Sequence, residues 1–171
     1  DRAGYGNSVS LSSNGEIVAV GSYHADNEGS GAGKGHVRIY QLNESDQWQQ
    51  LGSNIDGEAL YDESGISVSL SDDGQTVAIG AHRNDGIASN GGHVRIYQLN
   101  DSNDWVQIGS DIDGEVANGY SGRFVSLSSD GQTVAIGAVG SNSYTGQARV
   151  YRLNESNEWV QLGQQLDGEA A

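Results

Sequence analysis

A fourteen-residue segment recurs three times along the chain, as GHVRIYQLNESDQW at 35–48, GHVRIYQLNDSNDW at 92–105 and GQARVYRLNESNEW at 146–159. Two shorter segments recur with it: SVSL or FVSL, beginning at 8, 67 and 124, and DGE, beginning at 56, 113 and 167. A repeat of this kind limits the fold more than any other pattern, because each copy must form the same supersecondary unit. The 171 residues therefore predict three copies of one unit.

The repeat has a fixed part and one variable segment. Leu11 and Leu70 are 59 positions apart, whereas Trp105 and Trp159 are only 54 apart. The difference lies in the segments 22–34, 81–91 and 138–145, which have 13, 11 and 8 residues; without them, 46 positions remain in every repeat. A rigid unit of constant length therefore carries a single loop of variable length.

The fixed part has the pattern of short β-strands. SVSLS, TVAIGA, HVRIYQL and WVQLG are rich in Val, Ile and Tyr, and turn residues flank each run. Asn14-Gly15, Asp73-Gly74 and Asp130-Gly131 separate the first two runs and supply the positive φ of a hairpin turn. No window has the 3.6-residue apolar spacing of a helix. Each repeat is predicted to be a four-stranded antiparallel meander.

Both faces of the predicted meander carry apolar residues. In the third strand, Val37 and Ile39 lie on one side, and Tyr40 and Leu42 lie on the other. A sheet of this kind must be covered on both faces, as in a β-propeller. We therefore predict an all-β propeller of three blades, with boundaries at 1–58, 59–115 and 116–171. A flat β-solenoid is the first alternative and a two-sheet sandwich is the second.

The first half of each repeat resembles a known family. GYGNSVSLSSNGEIVAVGS at 4–22 and SGISVSLSDDGQTVAIGA at 64–81 are similar to the FG-GAP repeats of integrin α-chain β-propellers and their bacterial relatives. The resemblance extends over all three repeats and implies a role in adhesion or scaffolding. It also implies a calcium loop between the first two strands, where this chain has only SSNG, SDDG or SSDG. Calcium needs roughly six to eight oxygen ligands, so we expect no metal and no cofactor, and we interpret Asp73 and Asp130 as turn formers.

The chain is strongly acidic. It has 8 Lys and Arg against 23 Asp and Glu, which gives a net charge of −15. Such a charge disfavours nucleic acid and anionic membrane surfaces as partners. No apolar run approaches the ~20 residues that span a bilayer, so membrane insertion is not expected. The chain has no Cys, which fits the extracellular or cell-surface location that we expect.

Three tryptophans begin the predicted fourth strands: Trp48, Trp105 and Trp159. We expect each to anchor the outer strand of its own blade, because every blade needs the same packing. The alternative is a set of sugar-stacking platforms, one on each blade.

Charged residues also recur in register: Arg38, Arg95 and Arg149 in the third strand, and Asp56, Asp113 and Asp167 in the DGE turns. A partly buried arginine pairs well with a carboxylate. We therefore predict repeated Arg–Asp or Arg–Glu pairs that join neighbouring blades.

The variable loop is the predicted binding region, because such insertions cluster on one face of a repeat protein. Its candidate contact residues are Tyr23, His24, Asp26, Asn27, Glu28, His82, Arg83, Asn84, Asp85, Asn142 and Tyr144. No catalytic motif is present, so we predict a non-enzymatic interaction, adhesion or scaffolding module that binds a protein or a glycan. The alternative is a carbohydrate-binding propeller lectin.

Three blades are fewer than the roughly four to eight of a closed propeller. Trp48 precedes Leu70 by 22 positions, and counting from Trp159 through the end of one chain to Leu11 of a second copy gives 23. The repeat junction is thus nearly reproduced between two chains. We expect a homodimer that closes a six-bladed ring; the alternative is an excerpt from a longer array of repeats.

Overall fold

The computed structural model describes residues 4–24, 33–141 and 145–169. Fifteen strands in these residues form three antiparallel sheets. The first contains β1 (Tyr5–Leu11), β2 (Ile17–Ser22), β3 (His36–Leu42), β4 (Trp48–Gln50) and β5 (Ile55–Asp56). The second contains β6 (Ser67–Leu70), β7 (Thr76–Ala81), β8 (His93–Leu99), β9 (Trp105–Gln107) and β10 (Ile112–Asp113). The third contains β11 (Ser121–Leu127), β12 (Thr133–Ala138), β13 (Gln147–Leu153), β14 (Trp159–Gln161) and β15 (Leu166–Asp167).

The three sheets stack in the manner of propeller blades, which confirms the all-β prediction and the repeated meander. In the part of the chain that the structure describes, no helix has the length and apolar character needed to cross a membrane.

The predicted fourth strand is divided into two short segments. In the first sheet, β3 pairs with β4 through Leu42 and Trp48, and with β5 through His36 and Asp56. Gly52 lies between the segments with a φ of 74°, a left-handed conformation that favours glycine. Each sheet therefore has four strand positions, and the outermost is interrupted by a turn.

In the second sheet, the hairpin between β6 and β7 depends on Asp73. The carboxylate of Asp73 accepts hydrogen bonds from the Gln75 amide at 2.9 Å and the Ser71 hydroxyl at 2.6 Å. Gly74 has a φ of 70°, whereas Asp73 has no positive φ. The aspartate thus fixes the turn through its side chain, and the glycine alone supplies the left-handed backbone.

The hydrophobic cores lie between the sheets. One core joins Ile17, Val37 and Ile39 of the first sheet to Val68 and Leu70 of the second. An equivalent core joins the second sheet to the third. The middle sheet is consequently covered on both faces, and all six residues of β7 are buried.

Glycines in the second strand allow the sheets to approach closely. A Cβ on Gly80 would overlap the carbonyl oxygen of Gly122 in the next sheet. The Ser67 hydroxyl donates a hydrogen bond to that same oxygen at 2.7 Å. The first junction is equivalent, with Gly21 facing Gly65. A larger residue at these glycines would separate the two backbones.

Trp105 and Trp159 join neighbouring sheets rather than anchoring their own, so that part of the prediction is wrong for these two residues. The Trp105 indole N–H donates to the carbonyl of Leu51 in the preceding sheet at 2.9 Å, and the ring lies against Gly52. Trp159 makes the same bond to Ile108 at 2.9 Å. A partly buried indole needs an acceptor for its N–H, and the turn that divides the fourth strand provides one.

The two end sheets each leave one face uncovered. Val9 and Leu11 are 64% and 59% exposed, whereas their repeat equivalents Val68 and Leu70 are 8% and 7% exposed. On the opposite end, Leu166 is 55% exposed. The same sequence positions are thus buried inside the stack and open at its ends.

Alanine at Gly80 should destabilise the chain much more than alanine at Gly137. The two glycines occupy the same place in the identical strands TVAIGA, yet a Cβ at Gly137 would meet only ordinary contacts, the nearest at 3.5 Å. Denaturant unfolding should show a loss of about 1–3 kcal/mol or more for Gly80→Ala and less than about 1 kcal/mol for Gly137→Ala. Equal losses would show that the close approach of the sheets is not what requires glycine.

Candidate functional site

An open cleft of about 440 Å³ lies at the end of the sheets where each first strand begins and each second strand ends. It draws residues from all three sheets: Asn7, Tyr23, His24, Glu63, Ile66, His82, Arg83 and Arg123. We call this feature the cleft.

The cleft is built from equivalent positions that carry different side chains. Asn7, Ile66 and Arg123 each lie two positions before the valine of the recurring SVSL or FVSL segment. Tyr23 and His82 are likewise equivalent, since each follows the second strand of its sheet by the same interval. The backbone frame is therefore repeated here, whereas the chemistry is not.

Glu63 occupies an unusual backbone conformation. Its φ is 57°, and the equivalent residues Gly4 and Tyr120 have φ values of 60° and 54°. A left-handed conformation costs a non-glycine residue about 1–2 kcal/mol, and its recurrence in all three sheets shows that it belongs to the repeated frame. The buried Glu63 carboxylate lies 3.1 Å from an Arg83 guanidinium nitrogen, which compensates its charge.

His82 is buried at the bottom of the cleft. Burial of the imidazole, together with the charges of Arg123 and Arg83, lowers the pKa of His82 to about 4. The imidazole is therefore neutral at physiological pH, and its 3.7 Å approach to Glu63 is not an ion pair there. Its ring lies 5.7 Å from that of Tyr120, and its Nδ1 has no hydrogen-bond partner among the described residues.

The cleft carries positive charge in a strongly acidic chain. Arg83 is half exposed, and the guanidinium carbon of Arg123 lies 5.5 Å from the centre of the Phe124 ring. Among the described lining residues, Glu63 is the single carboxylate beside two guanidinium groups, which leaves a net positive charge. The rings of Tyr23 and His24 lie 4.0 Å apart and form an adjacent aromatic surface. Such a site can hold an anionic group beside a flat or apolar one.

The cleft contains four of the predicted contact residues, namely Tyr23, His24, His82 and Arg83. Asn84 is instead buried and donates to the Asp62 carboxylate at 3.0 Å. Asp85 accepts a hydrogen bond from the Asn90 amide at 2.7 Å and so holds its own loop. The remaining predicted contacts lie outside the described residues: Asp26, Asn27, Glu28, Asn142 and Tyr144.

Sequence reasoning missed Asn7, Glu63, Ile66 and Arg123. The predicted binding region was the loop that varies in length, whereas these four positions vary only in residue type. Aligning the three repeats exposes them, because Asn, Ile and Arg at one equivalent position have no common packing role.

The recurring arginines pair with glutamates of the DGE turns. Arg95 pairs with Glu58 of the preceding sheet and lies 3.1 Å from Asp111 of its own. Arg149 lies 3.1 Å from Glu115 of the preceding sheet. In the first sheet, Arg38 donates to Asn54 at 3.1 Å.

The aspartates of the same turns have a different role. Asp56, Asp113 and Asp167 pair in register with the first residue of the third strand in their own sheets. It is therefore the glutamate of the triplet, and not the aspartate, that reaches the neighbouring sheet.

Glu58, His93 and Asp111 lie close enough to share one metal ion. However, the Arg95 guanidinium already pairs with both carboxylates. We interpret this group as an ion-pair network that joins two sheets.

No protein-family model and no curated protein sequence matches the chain. Among solved structures, it is similar to a candidate 6-phosphogluconolactonase from Bacteroides uniformis, with a TM-score of 0.62 and 15% identity over 94% of this chain and 40% of that one. It is also similar to hydrazine synthase from Kuenenia stuttgartiensis, with a TM-score of 0.57 and 13% identity over 94% of this chain and 36% of that one. The chain spans less than half of each protein, and at these identities the likeness concerns the fold alone.

We expect His82 to titrate near pH 4 in the folded chain, which NMR of the imidazole Cε1–H can measure. Arg123→Ile should move the midpoint upward, because it removes a neighbouring cation. Since the pKa of His82 in the folded chain lies below its ordinary value of 6.5, the unfolded chain binds more protons between these two pH values. The contribution of His82 to stability is therefore complete above about pH 6.5 and is lost as the pH falls towards 4. A midpoint near 6.5 in the folded chain would contradict this description of the cleft.

Proposed function

We propose that the chain is a non-enzymatic interaction module of an extracellular or cell-surface protein, and that its cleft binds a partner presenting an anionic group. The observation that carries the proposal is the divergence of Asn7, Ile66 and Arg123 at one repeated position. Positions that serve only packing keep their residue type from sheet to sheet, as TVAIGA does in β7 and β12. Three different residue types at a position that opens on a cleft are better explained by a ligand than by packing.

An anionic group is the chemistry that fits the cleft best. Arg123 approaches the cleft from the third sheet, and Arg83 approaches it from the second. Guanidinium groups bind carboxylates with charge-assisted and frequently bidentate hydrogen bonds. Because the chain as a whole has a net charge of −15, a local cationic site would discriminate between partners rather than attract every anion.

The proton-transfer chemistry of the cleft supports binding rather than catalysis. An imidazole with a pKa near 4 is a weak base at neutral pH. The Glu63 carboxylate is buried and held by Arg83. The imidazole is neutral at neutral pH, and Arg83 holds the Glu63 carboxylate in place, which suits a recognition site.

The resemblance to FG-GAP repeats supports an adhesive or scaffolding role for the chain. That resemblance rests on the segments at 4–22 and 64–81, the same segments that supply Asn7 and Ile66 to the cleft. Fold likeness alone does not identify a ligand, so the proposal depends on the cleft.

A glycan is the alternative partner, and the Tyr23–His24 ring pair favours it, since sugars stack on aromatic surfaces. Trp105 and Trp159 are not available for this purpose, because their indoles lie in the junctions between sheets. A lectin built on this chain would therefore bind an acidic sugar in the cleft rather than one sugar on each blade.

Calorimetric titration with three probes tests the proposal: oligogalacturonate, a neutral galactose oligomer of the same length, and a polyglutamate peptide. We expect saturable binding of at least one acidic probe and none of the neutral one. Arg123→Ile, which gives the third sheet the residue that the second carries at this position, should weaken the binding at least tenfold, about 1.4 kcal/mol.

Arg152→Ile is the matched control. It removes the same charge from the far end of β13, where Arg152 lies beside Thr133, and it should leave the affinity unchanged. Preference for oligogalacturonate over polyglutamate would favour the glycan partner. Equal affinities of the Arg123→Ile variant and the unaltered chain, or binding of the neutral oligomer alone, would contradict the proposal.

A further inference from the structure

The uncovered faces of the two end sheets carry matching halves of the junction that joins the sheets inside the chain. We define the head face by Val9, Leu11, Arg38 and Trp48 of the first sheet. We define the tail face by Leu162, Gly163, Leu166 and Glu169 of the third sheet. We propose that the head face of one copy binds the tail face of a second copy, so that two copies form a closed ring of six sheets.

The apolar parts of the two faces are those that the inner junctions bury. On the head side, Val68 and Leu70 of the middle sheet face the first sheet and are buried, whereas Val9 and Leu11 are exposed. On the tail side, Ile55 and Ile112 are 6% and 7% exposed, whereas the equivalent Leu166 is open. A head-to-tail contact would bury both sets in the same way.

The two partners of the indole–glycine contact also lie on the uncovered faces, the tryptophan on the head face and the glycine on the tail face. Inside the chain, Trp105 lies against Gly52 and Trp159 lies against Gly109. Trp48 is 47% exposed, and apart from its chain neighbours no described residue has an atom within 4 Å of the Cβ position of Gly163. The open glycine of the tail face thus matches the open indole of the head face, and the Leu162 carbonyl is placed to accept from Trp48 as Leu51 accepts from Trp105.

The ion pairs between sheets also repeat, with a glutamate of one sheet beside an arginine of the next. Glu58 pairs with Arg95 of the next sheet, and Glu115 pairs with Arg149. Glu169 of the tail face and Arg38 of the head face are the remaining members of this series. Their opposite charges are complementary only if the two faces meet head to tail.

One position differs between the proposed junction and the inner ones. Phe124 stands where Ser8 and Ser67 donate to a glycine carbonyl of the next sheet. The proposed junction would lack that hydrogen bond, and the 61% exposed Phe124 ring would pack near Gly6, which has open space. We therefore expect this junction to be weaker than the inner ones and its occupancy to depend on concentration.

A second copy is the occupant that fits these observations, because the leucines, the open glycine and the glutamate of the tail face have their complements on the head face of the same sequence. The six sheets of two copies lie within the range of about four to eight blades in known propellers. A head-to-tail contact that closes uses both faces of both copies and stops at two.

Sedimentation equilibrium over a range of concentrations tests the proposal. We expect the mass to rise to twice 17.9 kDa and no further. Leu11→Asp disables the head face and Leu166→Asp disables the tail face, and each variant alone should stay at the single-chain mass. Both residues are exposed in the single chain, so circular dichroism should show an unchanged fold.

Mixing the two variants makes the test specific. The intact tail of Leu11→Asp can bind the intact head of Leu166→Asp, so the mixture should recover a two-chain species with one junction. Ile87→Asp, at a 70% exposed site in the loop of the middle sheet, is the control and should assemble like the unaltered chain. A single-chain mass at every concentration, assembly beyond two copies, variants that still pair alone, or a mixture that stays unpaired would each overturn the proposal.

Discussion

The close approach of neighbouring sheets is the constraint on which the rest of the structure depends. A sheet with apolar residues on both faces is stabilised by the neighbouring sheets that bury them. The backbones can approach because glycine occupies the contact, as Gly80 does against the carbonyl of Gly122. The same junction positions the indole of Trp159 and pairs Arg149 with Glu115. Core, hydrogen bonds and ion pairs therefore all belong to the junction rather than to any single sheet.

This arrangement separates stability from recognition. Since the junctions supply the packing, the ends of the strands need not be alike, and residues such as Asn7 and Arg123 can diverge without loss of the fold. The buried His82 and the left-handed Glu63 are tolerated at that end. A repeated frame with one irregular cleft is the physical basis for the proposed binding role.

The sequence predicted the strands, the turns and their repetition, because alternating apolar residues and Asp-Gly pairs act locally. It did not predict which sheet receives a given side chain. Trp105 was placed in its own blade because nothing near it in sequence identifies the Leu51 carbonyl as its partner. The cleft was predicted in part, through Tyr23 and His82, since loop length is visible in a sequence. Arg123 was missed because its approach to them depends on the stacking of sheets.

Hydrogen exchange of the strand TVAIGA tests the central role of the junctions most directly. This hexapeptide occurs unchanged in β7 and β12, and each strand is hydrogen-bonded on both edges within its own sheet. Only β7 has a neighbouring sheet on both faces. In a chain carrying both Leu11→Asp and Leu166→Asp, which should keep copies apart, we expect much slower amide exchange in β7 than in β12. Equal protection of the two identical strands would contradict it, because each sheet would then be stable without its neighbours.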